Sequence, residues 1–412
     1  MTPDYEVHQF DNGIRLIHRQ VLHTRVAHCG FVLDVGSRDE TPDQLGLAHF
    51  WEHMAFKGTR RRKAFHIINR LEAVGGELNA YTTKEKLCFY ASVLDRHFDK
   101  AAELLTDITF DSVFPEREIE RERGVILEEM SMYVDTPEDA IQDEFDELVF
   151  GNHPLGTNIL GTAESVRRFH REDFRRFVGE HLDTHRLVFA SVGNVAFRDV
   201  IRRMERRLAD LPARTTHHHR RPFADYQPRR LEKDRPITQA HAALGRTAFP
   251  LHDERRLPFF MLNNLLGGPG MNSRLNLALR ERHGYVYAVE SSFTSYIDTG
   301  LFGIFFGTEP RRLKQSLDLT YRELRQLREK PLGSVQLHNL KEQLMGQLAM
   351  AEENNAGLML LLGKSLLDLG YVESLADIFD RIRAVTSSEL QTLANDTLRE
   401  EDLSVLIYRP EA

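Results

Sequence analysis

The chain has 412 residues, of which 28% are charged, a formal net charge of −8 and two cysteines. That length exceeds what one hydrophobic core usually supports, so two domains are expected. The acidic balance argues against nucleic acid as a partner, no apolar run approaches a membrane span, and two cysteines exclude a cysteine-built zinc site or a disulfide framework.

The N-terminal stretch "MTPDYEVHQFDNGIRLI" lacks the basic and apolar blocks of a signal peptide, and the expected location is the cytoplasm. Cys29 and Cys88 fall in strand-like runs, "VAHCGFVLDV" and "KLCFYASVL", as small buried residues. "LGLAHFWEHMAFKG" (45–58) reads as a largely buried helix, with Asp43 near its N-terminus and Gly58 at the position of a C-cap. On it His49 and His53 are one turn apart and share a face, and Glu52 borders that face. Two imidazoles at this spacing can bind one divalent ion, and the carboxylate is placed to take a proton from water at the metal. A His-x-x-Glu-His run is not specific by itself. The context to demand is a third ligand on another element, since catalytic zinc takes three protein ligands and leaves one position open.

"GGELNAYTT" (75–83) reads as a turn at Gly75-Gly76 and a strand from Glu77 to Thr82, with the run Leu87 to Leu94 pairing on one side. An edge strand there could add a peptide by β-pairing. "FPEREIERERGVILEEMSMYVDTPEDAIQDEF" (114–145) has helical periodicity to about Val134, with Pro115 in the first turn. It offers Glu118, Glu122, Glu128 and Glu129 as third ligands, and spacing alone does not choose among them. "PARTTHHHRRPFADYQPRRLEKDR" is Pro-containing, basic and without periodicity, and His217, His218 and His219 within it read as a solvated run in a linker.

The chain repeats itself. At a constant offset of 216 residues, Val166 meets Ile382, Phe174 meets Leu390, Phe177 meets Leu393, Leu182 meets Leu398 and Leu187 meets Leu403. A strand-helix pair at 86–108 and 300–324 agrees at nearly the same shift. The expectation is an α+β protein of two homologous domains, 1–212 and 236–412, joined by a linker 213–235, each a mostly antiparallel sheet flanked by helices. The offset carries positions 49–53 onto 265–269, "LLGGP", which has no metal-binding side chain, so only the first half can hold a metal.

His49-Phe50-Trp51-Glu52-His53 followed by "ERERGVILEEM" resembles the inverzincin zinc peptidases of the insulinase, pitrilysin and mitochondrial-processing-peptidase family, whose His-x-x-Glu-His order is inverted relative to thermolysin. The resemblance extends to "GGELNAYTTKE", "MYVDTPEDAI", "GNHPLGTNILGT" and "LRERHGYVYAV", so it spans both halves, and it is greatest to the short bacterial members. It implies one Zn2+ per chain on His49, His53 and Glu129, with Glu52 as general base and Glu122 as a supporting acid. It implies peptide contacts from Asn79 and Ala80 and, in the second half, from Arg280 and Tyr287, with Arg282 and Tyr285 as nearby decoys. "GGPGMNSRLNLALRE" departs from the family's usual run at Pro269, Asn272 and Asn276. The implied activity is a zinc endopeptidase acting on peptides or unfolded segments in an enclosed chamber, with four domains supplied by a homodimer or by a heterodimer with a related subunit. The alternative is a non-catalytic assembly partner, which the full set of ligands and base disfavours. A metal-storing or zinc-sensing protein would need neither Glu52 nor a peptide-pairing strand.

Overall fold

The computed structural model describes residues 5–217 and 219–411, so His218 lies outside the described residues. In chain order the strands are β1 (Glu6–Gln9), β2 (Arg15–Gln20), β3 (Val26–Leu33), β4 (Glu77–Thr82), β5 (Leu87–Leu94), β6 (Leu187–Gly193), β7 (Arg230–Arg235), β8 (Ala240–Ala248), β9 (Val286–Ser295), β10 (Gly300–Thr308) and β11 (Ser404–Pro410). They form two sheets in two compact units, each an α+β layer structure.

The first unit comprises the chain up to Met130, then Thr157–Arg220 and Met350–Ser374. Its sheet has the order β1-β2-β6-β3-β5-β4, antiparallel except for the β2/β6 pair, and β4 is an edge. Alternation along β3 sends Ala27, Cys29, Phe31 and Leu33 into the main core. There they meet Phe50 and Trp51 of the helix Leu47–Ala55 and Leu104, Leu105 and Ile108 of the helix Phe98–Phe110. Trp51 is fully buried, with Phe89 and Phe177 rings each 6.2 Å away. This packing fixes the helix that carries both histidines.

The second unit comprises Ser131–Gly156, Arg221–Ala349 and the chain from Leu375. Its sheet has the order β7-β11-β8-β10-β9, again with one parallel pair, β7/β11, and with β9 at an edge. Position for position this repeats β2-β6-β3-β5-β4, which is the duplication expected from the 216-residue offset.

The unit boundaries differ from the expected 1–212 and 236–412. Each sheet needs its second face covered, and the covering helix comes from the other repeat. The helix Pro137–Phe150 buries Ile141, Phe145, Leu148 and Val149 against Ala243, Leu301, Phe305, Leu406 and Tyr408 in the second unit. The helix Asn355–Leu369 buries Leu358, Met359, Leu362 and Leu366 against Ile17, Val188, Ala190 and Val192 in the first. Such side chains each contribute on the order of 1.5–3 kcal/mol when fully buried, so the exchange is held by apolar contact. The expected linker 213–235 is also structured. Arg214 and Thr216 bond to Thr184 and Asp183, Arg220 bonds to Asp34 and Asp39, and Arg230–Arg235 is β7. His217 and His219 are exposed, as a solvated run should be.

Candidate metal centre

The histidine helix runs Leu47–Ala55 and the acidic helix Glu116–Asp135, and both contribute to the first unit. Their boundaries depart from the expected caps. Gly58 lies past the C-cap, Phe56, and its Cβ position faces Pro115. Pro115 immediately precedes the acidic helix, and its carbonyl accepts from Ile119 N–H at 3.0 Å. Asp43 is exposed and takes a hydrogen bond from Thr41 at 2.6 Å, so it does not cap the histidine helix.

The two helices bring His49, His53 and Glu129 together, with one donor atom from each lying within 4.8 Å of the others. Glu129 Oε2 is 3.8 Å from His49 Nε2 and 3.7 Å from His53 Nε2. Ligands about 2.1 Å from a tetrahedral zinc stand about 3.4 Å from one another, so the observed separations fit one ion with little adjustment. Among the four acids left open by spacing, Glu129 is the one in the cluster. Glu128 is exposed, and Glu118 bonds to Arg121 at 3.0 Å.

Protonation favours the same use. Burial, with the neighbouring His53 adding to it, pushes His49 down to about 3. The ring is therefore neutral near pH 7 and keeps a lone pair for a metal. His53 Nδ1 donates to Glu122 Oε1 at 3.0 Å, which leaves Nε2 as the lone-pair nitrogen facing Glu129. Lys57 Nζ is 2.7 Å from Glu122 Oε2. Burial raises the Glu122 carboxyl, but the hydrogen bonds from His53 and Lys57 outweigh it and hold the group below its ordinary value. Glu122 thus stays an anion that fixes a histidine ring.

Glu52 has the opposite setting. Burial raises its carboxyl above the ordinary value, and the hydrogen bond from Thr82 and the nearby His53 only partly offset this. Thr82 Oγ1 donates to Glu52 Oε2 at 2.6 Å. Thr82 lies on β4, two residues beyond Ala80 and so on the same face of that edge strand. Asn79 is exposed and turns its own Oδ1 to the Ala80 N–H at 3.2 Å. In register, Asn79 and Ala80 pair with Tyr90 and Phe89 of β5, and the other side of β4 has no strand among the described residues.

Arg280 and Tyr287 lie in the second unit, Arg280 in a π-helix, Asn276–Glu281, and Tyr287 on β9. The Arg280 guanidinium carbon is 5.9 Å from the Tyr287 ring centroid, and Tyr287 is 86% exposed. Both line a cavity of about 550 Å³ with Gly268, Met271, His241 and Glu290. Tyr285, the decoy, is engaged by Arg312 over its ring at 4.9 Å. The departures in the glycine loop are internally bonded: Asn272 exchanges amide hydrogen bonds with Gln343, and Asn276 donates to the Met271 carbonyl.

Thr82 and Lys57 are site residues that sequence reasoning did not single out. Strand alternation from Ala80 reaches Thr82, and Lys57 is four residues after His53, so both had a positional signal without a chemical one.

The family model described as insulinase (peptidase family M16) matches residues 16–163, and the one described as peptidase M16 inactive domain matches 168–344. The second match agrees with the absence of metal ligands at 265–269. A Streptomyces coelicolor protein named an uncharacterized zinc protease is 36% identical over 96% of this chain and 87% of its own length. The uncharacterized zinc protease YmxG of Bacillus subtilis is 34% identical over 96% of both. Among solved structures, a peptidase M16 inactive domain from Pseudomonas fluorescens superposes with a TM-score of 0.92 at 18% identity, covering 100% of this chain and 99% of that one. A Helicobacter pylori protease superposes with a TM-score of 0.91 at 20% identity, covering 99% and 100%. These two likenesses concern the fold.

Proposed function

The chain belongs to the insulinase family, peptidase family M16, and from that premise we propose that it is a zinc-dependent endopeptidase acting on peptides or unfolded segments. One observation carries the reading. The three candidate ligands converge, and near them a half-buried carboxylate outside that set, Glu52, accepts a hydrogen bond from the Thr82 hydroxyl. A metal-storage site has no use for that fourth group.

Bound zinc would supply Lewis acidity, lowering the pKa of a water and polarising a peptide carbonyl. His49, His53 and Glu129 would hold it. Glu52, its basicity raised by burial, would accept the proton from water and return it to the departing amine. The edge of β4 at Asn79 and Ala80 would align an extended substrate. Arg280 and Tyr287 would contribute substrate contacts from the second unit, supplied to the metal of a partner copy in a homodimer or to a related subunit in a heterodimer. No helix among the described residues is long and apolar enough to cross a membrane, and a cytoplasmic location is part of the reading.

The test pairs zinc content with cleavage of a quenched-fluorescence peptide library. Stoichiometric zinc with cleavage supports the reading. Zinc without cleavage favours storage or sensing, and neither favours a non-catalytic assembly partner.

A further inference from the structure

The histidine helix begins without a cap of its own. Its N-cap is Gly46, at φ 90°, and a Cβ there would lie 2.4 Å from the Leu160 carbonyl oxygen, so no capping side chain fits at that position. The amides that open an α-helix have no acceptors within it. Two of them are satisfied from upstream: Glu40 Oε2 accepts from Gly46 N–H at 2.8 Å, and Oε1 accepts from Ala48 N–H at 2.7 Å. Glu40 is 6% exposed, and Ala48, fully buried, directly precedes His49.

The two histidines are oriented differently. The His53 ring is fixed by Glu122 through Nδ1. His49 Nδ1 is buried and has no hydrogen-bond partner among the described residues. The direction of the His49 ring therefore depends on where the first turn of its helix is held. We propose that Glu40 is a positioning residue for the metal centre: its carboxylate, bridging two amides, sets the first turn of the histidine helix and through it the placement of His49 against His53 and Glu129.

The anchor is itself fixed. Glu40 follows the short 3-10 turn Ser37–Asp39, in which Gly36 N–H donates to Asp39 Oδ2 at 2.9 Å. Buried Arg38 pairs with Glu85 at 2.5 Å, and Arg220 pairs with Asp39 at 2.8 Å. A carboxylate suits the role chemically. The two backbone amides favour its ionised form, in which it has two acceptor atoms and no donor to repel an N–H, while burial works against the charge and pushes the carboxyl up to about 8.

The inference rests on the metal-site reading, so the experiment separates the two. Zinc affinity is measured on the full chain by competition with a chromophoric chelator. Failure of the wild type to bind zinc overturns the reading and the inference together. With wild-type binding established, Glu40→Gln keeps the side-chain volume but turns an amide NH2 against a backbone N–H. It should bind zinc about tenfold more weakly, at the low end of the loss typical for groups that orient ligands. At saturating zinc it should show lower kcat with KM unchanged. Asn354→Ala is the control. It removes the cap that Gly357 N–H donates to at 3.1 Å on another helix of the same unit, and it should lower thermal stability with zinc affinity intact. Wild-type zinc affinity in Glu40→Gln, or equal weakening in the control, overturns the proposal. Should Glu40→Gln fail to fold, amide exchange in the wild type decides. The Gly46 and Ala48 amides should be protected without zinc and slowed together by it, and unprotected exchange at either overturns the proposal.

Discussion

Glu52 and Glu122 are carboxylates beside the same two histidines, and their surroundings push them in opposite directions. His53 and Lys57 hold Glu122 as an anion, whereas half-buried Glu52 is bonded by a single hydroxyl. Such a split separates a supporting group from a base. Glu52→Gln should retain zinc and lose cleavage by about 100- to 10,000-fold, the range of a general base, and turnover near wild type would remove Glu52 from the mechanism. Thr82→Val deletes the hydrogen bond that favours the ionised form of Glu52, so the carboxyl should rise further. The acidic limb of kcat/KM should then move to higher pH with the basic limb in place, and an unmoved limb would show that Thr82 does not tune the base. Glu129→Ala should lose zinc, whereas Glu122→Ala should weaken it about 10–100-fold. Zinc retained by Glu129→Ala would mean that another acid completes the set. His49, Glu52 and His53 were legible in the sequence because helical spacing alone puts them on one face. Choosing Glu129 required resemblance. Glu40 was not legible, because it reaches the helix across an aperiodic loop, while Asp43, nearer in sequence, points to solvent.

At the scale of elements, the strands Glu77–Thr82 and Leu87–Leu94 lie where turn glycines and β-branched or aromatic runs place them. The partner of an amphipathic helix is another matter. Periodicity shows that Pro137–Phe150 and Asn355–Leu369 each have an apolar face, but it does not say which sheet receives it. Gly363 marks one such contact. A Cβ there would lie 2.7 Å from Val32 Cγ2 and 3.1 Å from Ala190 Cβ, both in fully buried residues that have no room to move. Alanine is favoured over glycine in a helix by about 1 kcal/mol, yet overpacking costs about 1–3 kcal/mol, so Gly363→Ala should destabilise the protein. Gly346, on the helix Ser334–Glu352, has nothing within 4 Å of its Cβ position and is exposed. Gly346→Ala should therefore stabilise by up to about 1 kcal/mol. Chemical denaturation of both variants checks the pair, and like signs would contradict the packing argument.

For the whole molecule, the repeat and its single metal-competent copy were legible from the 216-residue offset, because sheet order and strand spacing survive as hydrophobic pattern. The proposed assembly makes a kinetic claim. Glu52→Gln and Tyr287→Phe, each severely impaired alone, should regain activity on mixing if Tyr287 acts on a partner's site. With free exchange the ceiling is about a quarter of wild type, because half of the dimers are mixed and each has one intact site of two. A mixture that stays inactive although subunits exchange would confine Tyr287 to its own chain or to no site at all.

The traded helices have a consequence for how this gene can change. A protease site placed beside the exposed His219 would cut the backbone between the repeats, yet each fragment would still hold the cover of the other's sheet. The nicked protein should run as two bands in a denaturing gel and elute as one particle from a sizing column. Fragments that drift apart would show that the trade is too weak to matter. By the same logic, an early stop codon after the first repeat would leave the sheet of the first unit stripped on one face and prone to aggregate. A nicked protein that holds together would make the two copies mutually indispensable. Selection could then erase the metal ligands from one of them, but not the copy.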